Sequence, residues 1–147
     1  MLLWKCSGLT GEQFAERPAG HSPLSLLGLV RHMAKVERWW FRQQFAGRAD
    51  LEYLYCTAES PDGDFDLADP ARAEEDFAVF AAERAATDAA VQDRSLDDTF
   101  RYQRLRRGHE VTDVDLRWVY LHMIEEYARH NRHADLLREH IDGTTGQ

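Results

Sequence analysis

The stretch "TDVDLRWVYLHMIEEYARHNRHADLLREHIDG", residues 112–143, constrains the fold more than any other part of the chain. At about 100° per residue, Leu116, Val119, Met123, Glu126, His130, His133, Leu137 and Ile141 follow the alternating three-four spacing of a buried helical seam. Thr112 and Asp115 resemble a capping box, and Gly143 supplies the stop. The reading is a long helix whose core stripe carries a carboxylate and two imidazoles among apolar residues. Glu125 points elsewhere, toward solvent, and His122 falls at the flank of the stripe.

A buried ionised glutamate is costly unless it is paired or bound to a metal. Residues four apart share a helix face, so Glu126 and His130 can hold one ion between them. The first long helix, "HSPLSLLGLVRHMAKVERWWFRQQFAG", offers a third ligand. Its expected seam is Leu29, His32, Val36 and Trp39, with His32 in mid-stripe. Two imidazoles and one carboxylate suit zinc or a similar divalent ion, and three protein ligands leave a coordination position open. Two rival pairs have comparable spacing: His130 with His133, and His122 with Glu126. A lone seam histidine is more often a hydrogen-bonded core residue than a ligand. Glu126 alone is also explained by an ion pair with Arg84 or with an arginine of its own helix. The joint placement of His32, Glu126 and His130 carries the metal reading.

The remaining organisation is helical. Ser22 is the expected N-cap of the first long helix, with Pro23 in its first turn and Gly47 as its stop. Residues 48–69 are acidic and read as a long loop. "ADPARAEEDFAVFAAERAATDAAVQD" is a second long helix capped by Asp69, with Phe77, Phe80, Arg84 and Val91 on its stripe. "TGEQF" reads as a short capped turn. Residues 95–111 read as irregular, and no strand is expected. Trp39, Trp40 and Trp118 are expected in the core. The fold class is therefore all-α, a four-helix bundle with long crossover connections and a short first helix, in one domain over residues 1–147. Either Met1 lies inside an originally longer first helix, or a partner covers the gap. The apolar residues Leu3 and Trp4 near that gap make a two-fold homodimer the expected assembly.

Composition narrows the function classes. Hydrophobic residues make up 44% and charged residues 30% of the 147, the balance of a soluble globular domain. The net charge of −8 argues against non-specific binding to nucleic acid or to an anionic membrane. No apolar run approaches a membrane span, and the opening "MLLWKCSGLT" is too short and polar for a signal peptide. Cys6 and Cys56 have neither zinc-ribbon spacing nor a disulfide framework, so reduced thiols in a cytoplasmic protein are expected. The basic run "FRYQRLRRGHE", with Arg101, Arg104, Arg106 and Arg107, either steers an anionic substrate or balances Asp93, Asp97 and Asp98 as a solvated loop.

"SLLGLVRHMAKVERWWF" and "LRWVYLHMIEEYARHNRHADLLREHIDG" resemble the DinB-like superfamily of metal-binding four-helix bundles. They look closest to the branch that includes mycothiol-dependent maleylpyruvate isomerase. The likeness runs from about Gly8 to Gly143. It implies a metal held by His32, Glu126 and His130, with zinc foremost and nickel or another first-row ion as alternatives. His133 and His122 become general acid–base candidates or groups that orient the ligands. Asp135 or a backbone carbonyl is the expected partner of a ligating histidine. The branch also implies thiol-dependent chemistry at the metal: transfer of a small thiol, of mycothiol type, to an electrophile in a detoxifying reaction, or isomerisation through a thiol adduct. A non-catalytic metal-binding bundle is the alternative. Two departures stand out. The chain lacks the isomerase's additional C-terminal domain, so isomerase activity does not carry over, and Arg132 replaces the usual small residue before His133.

Overall fold

The computed structural model describes residues 2–103 and 111–145. In chain order the elements are α1 (Leu2–Lys5), α2 (Gly11–Ala15), α3 (Leu26–Glu37), α4 (Gly63–Asp66), α5 (Ala73–Val91), β1 (Thr99–Gln103), β2 (Val111–Asp115) and α6 (Leu116–Asp142). The α3 rod continues as a π-helical segment, Arg38–Phe45, and a 3₁₀ turn, Pro70–Arg72, leads into α5. The described chain is thus mostly helical, with a small two-stranded sheet.

The caps explain where the helices begin. Ser25, not Ser22, starts α3: its buried Oγ accepts from the Gly28 amide at 3.0 Å. The Ser22 hydroxyl instead accepts from the Leu24 amide in a turn around Pro23. Asp69 caps as expected, accepting from the Ala71 amide, and Thr10 and Gln13 form a reciprocal capping box on α2. Asp115 alone caps α6, accepting from the Trp118 amide at 2.7 Å, while Thr112 belongs to β2. Gly143 ends α6 in the left-handed conformation, φ 76°.

The strand pair corrects the expectation of an irregular segment. Thr99 faces Asp115, Phe100 faces Val114 and Arg101 faces Asp113 in an antiparallel ladder. "TFRYQ" alternates polar and apolar residues, the period of a half-buried strand. Its apolar face packs on the π-helical segment, Phe100 against Phe45 (5.8 Å between centroids) and Tyr102 against Trp40 (5.0 Å). The neighbouring arginines masked that alternation in the sequence. Arg104, Arg106 and Arg107 lie outside the described residues, and Arg101 is exposed.

Helix α3 is the central rod. It packs against α5, α4 and α6, and α1 lies on α6. Leu26, Leu29, Val30, Met33 and Ala34 are fully buried, and Val119, Met123, Ala134 and Leu137 meet them from α6. The α3 seam differs from expectation: His32, Val36 and Trp39 are only half-buried, because their face opens beneath the loop over residues 46–62. Trp40 is core, but Trp118 is 42% exposed. The α5 stripe also differs. Arg84 is exposed, while Asp76 and Glu83 are buried with Phe80 and Val91.

Those buried charges are paired. Arg31, itself buried, holds Asp76 through Nη1 at 3.0 Å. It also donates to the backbone carbonyls of Asp64 and Gly63 at 2.9 and 3.0 Å, and its guanidinium lies 3.9 Å from the Tyr55 ring centroid. Arg38 and Arg42 clamp Glu83 at 2.5 and 2.7 Å. These contacts tie α3 to α5 and to the loop that carries α4. Tyr55 itself stands at φ 66°, a left-handed conformation that non-glycine residues rarely adopt.

Candidate metal centre

His32 from α3 and Glu126 and His130 from α6 converge. One ligand atom from each lies within 4.8 Å of the other two. The His32 and His130 rings are 4.7 Å apart between centroids, and His130 Nε2 is 3.3 Å from Glu126 Oε2. Glu126 and His130 are buried, and His32 is half-buried. Their partners come from the helical register: one turn of α6 separates Glu126 from His130, and α3 crosses α6 at that turn.

His32 is oriented by a residue that sequence reasoning did not find. Its Nδ1 lies 2.8 Å from Asp64 Oδ2, which leaves Nε2 facing α6. Asp64 is fully buried on α4 and also receives the Lys35 ammonium at 2.5 Å. Burial alone would raise its carboxyl, but the hydrogen bonds from His32 and Lys35 outweigh it and hold the pKa at about 2. Phe65, the next residue, stacks on the His32 ring at 5.2 Å. Gly28 makes room for it, since a Cβ there would stand 2.7 Å from Phe65 Cδ1. Asp64 lies in "SPDGDFD", which has no periodicity to mark it. Asp135, the expected partner, pairs with Lys5 instead.

The other histidines take separate places. His133 is half-buried, and Ala134 replaces it in the α6 seam. Its Nδ1 sits 3.3 Å from His130 Nδ1, on the side of that ring away from Glu126. His122 Nε2 lies 3.8 Å from Glu126 Oε1, and its ring stacks on Trp118 (5.0 Å, 5° between planes) with Trp40 edge-on at 4.8 Å. Glu126 Oε1 also accepts from Arg129 Nη1 at 2.7 Å, the same-helix arginine pair anticipated from sequence.

The donor set fits a divalent ion. Burial, reinforced by the facing His32, pushes the His130 imidazole down to about 4 despite the carboxylate beside it. The ring is therefore neutral at pH 7, the form that ligates. Asp64 is ionised and orients the second imidazole, an arrangement typical of histidines that bind metals. Cys6 and Cys56 are free thiols. Cys6 is buried, and burial pushes its pKa up to about 12.

No described helix is long and apolar enough to cross a membrane. No curated protein and no solved structure matches the chain. A family model described as mycothiol-S-transferase matches residues 1–143, in agreement with the DinB-like resemblance. With nearly its whole length matched, the chain belongs to the mycothiol-S-transferase family.

Proposed function

We propose that this protein is a metal-dependent S-transferase that joins a low-molecular-weight thiol of mycothiol type to an electrophile. The observation that carries the reading is the convergence of His32, Glu126 and His130 in a chain of this family. Zinc is the foremost candidate because two imidazoles and one carboxylate match its preferences. A divalent ion there would lower the pKa of a bound thiol and so supply thiolate at neutral pH.

The chain's own groups divide the remaining work. Asp64 fixes the His32 tautomer, and His133 fixes the orientation of the His130 ring. In the reaction the thiol loses its S–H proton, and its sulfur lone pair forms a C–S bond to the electrophilic carbon. The displaced group departs with the electrons of the bond that breaks. His122, half-buried against Trp118 and Trp40 with its Nε2 3.8 Å from Glu126 Oε1, would accept the thiol proton and release it to water. The DinB-like bundle organisation, a homodimer built over exposed Leu3 and Trp4, and a cytoplasmic location belong to the same proposal.

The second reading is a non-catalytic metal-holding protein, which requires a fourth protein ligand. Nearby His133 addresses the far nitrogen of His130, and His122 addresses the Glu126 oxygen already held by Arg129. That arrangement favours an open position. The test is metal analysis of tag-free protein, followed by thiol consumption with an electrophile in the metal-loaded form. About one equivalent of divalent metal and turnover lost in His130→Ala support the proposal. Metal without thiol consumption supports the second reading, and no metal after reconstitution removes both.

A further inference from the structure

A cavity of about 590 Å³ begins at Val36, one helical turn along from His32. Lys35, Val36 and Trp39 of the α3 rod form one wall, and Tyr53, Cys56, Thr57, Ala58 and Pro61 of the following loop form the other, with the free Cys56 thiol held 3.4 Å from the Lys35 ammonium. Val36 lies four residues after His32, so the two side chains share a face about 5–6 Å apart. Lys35 connects the two sites, because it lines the cavity while its ammonium pairs with Asp64, the partner of His32. The lining is overwhelmingly apolar, and Trp39 and Tyr53 stack at 5.4 Å with 22° between their planes.

We propose that this cavity is the acceptor pocket, which takes an uncharged, apolar electrophile of one or two rings and presents its reactive carbon to the metal centre. The inference rests on the transferase reading. Its volume falls within the roughly 300–1,000 Å³ of small-molecule sites. A polar thiol gains nothing from such walls, whereas an apolar co-substrate gains the burial of its surface. The net charge of −8 also disfavours an anionic acceptor.

The walls are held in place before any ligand arrives. Arg38 donates to the Glu52 carbonyl at 3.2 Å and Gln43 to the Leu51 carbonyl at 2.7 Å, so the loop is tied back to the rod. Arg31 secures the same loop through Tyr55 and Gly63. The face of α3 that departs from the core seam is therefore the face that gives the site its second substrate pocket.

The test is fluorescence titration of the metal-loaded protein with N-phenyl-1-naphthylamine, a neutral, unreactive two-ring probe. Ala58→Trp fills the cavity from its rim, and Trp39→Ala removes an aromatic wall. Both are expected to weaken binding ten-fold or more at unchanged metal content. Ile124→Ala, on the exposed apolar face of α6, is the control and is expected to leave binding unchanged. Absence of probe binding, or binding that Ile124→Ala weakens and Ala58→Trp does not, overturns the assignment. The same titration on His130→Ala separates the two proposals. Probe binding that survives there, beside an absence of thiol consumption in the parent, overturns the transferase reading while leaving an apolar site. Where turnover is present, Ala58→Trp is expected to raise KM for an aromatic electrophile at least ten-fold with KM for the thiol unchanged. An equal rise in both overturns the pocket's assignment to the electrophile.

Discussion

Asp64 Oδ2 lies 2.8 Å from His32 Nδ1, joining a fully buried carboxylate of a four-residue helix to an imidazole 32 residues earlier. An imidazole held in this way presents its other nitrogen in one tautomer and one direction. Asp64→Asn keeps the shape of the side chain and removes the negative charge. The expected result is a metal affinity lower by roughly 10- to 100-fold, read by chelator competition, with helical content retained. Unchanged affinity would mean that Asp64 serves only to hold Lys35.

The ligand set separates from its rivals by substitution. His32→Ala, Glu126→Gln and His130→Ala are each expected to abolish stoichiometric metal binding. His122→Ala and His133→Ala are expected to retain it, with His133→Ala weaker than the parent because His130 loses the contact at its Nδ1. Elemental analysis after gel filtration decides the matter. Metal loss in His133→Ala and retention in His32→Ala would assign the ion to His130 and His133.

Stability and metal binding are expected to fall together in acid. The folded His130 imidazole titrates at about 4, below the usual value of 6.5 for an unfolded chain. Between these values the unfolded state binds more protons, so stability rises with pH across the interval. The contribution is fully present above about 6.5 and is lost as pH falls through 4. Protonation also competes with the metal for the same nitrogen. Denaturant titrations of the metal-free protein should therefore show a pH slope between about 4 and 6.5 that His130→Ala reduces. Asp64 acts further down, its contribution being present above about 3.8 and lost as pH falls through about 2.

Arg31 holds the site from behind. Its guanidinium satisfies Asp76, two backbone carbonyls of α4 and the face of Tyr55. Arg31→Ala leaves Asp76 buried without its cation and is expected to cost about 3–5 kcal/mol in urea unfolding. A loss under about 1 kcal/mol would show that water replaces the guanidinium without penalty.

Much of this architecture is legible along the chain. The helices around residues 26–45, 73–91 and 116–142 follow from apolar periodicity, and Asp69, Gly47 and Gly143 mark boundaries that the structure keeps. The boundary errors share a cause. Ser22 and Ser25 have similar intrinsic capping tendencies, and only the tertiary packing that buries Ser25 decides between them. The strand pair was hidden because its stability comes from Phe100 and Tyr102 packing on Phe45 and Trp40, residues distant in sequence.

The sequence by itself determined the helical class, and it pointed to Glu126 and His130 as a pair and to His32 as the facing residue. Those readings depend on periodicity along each of two helices, which is local, with the family resemblance choosing among the rival pairs. Tertiary structure alone decided that Asp64 orients His32, that His133 leaves the seam to Ala134, and that Val36 and Trp39 open onto a cavity instead of the core. The first and third of these depend on where the loop over residues 46–62 and the helix after it return to the rod, and the second on how α6 packs into the core. Contacts between segments distant along the chain, set by Arg31, Arg38 and Gln43, determine that return.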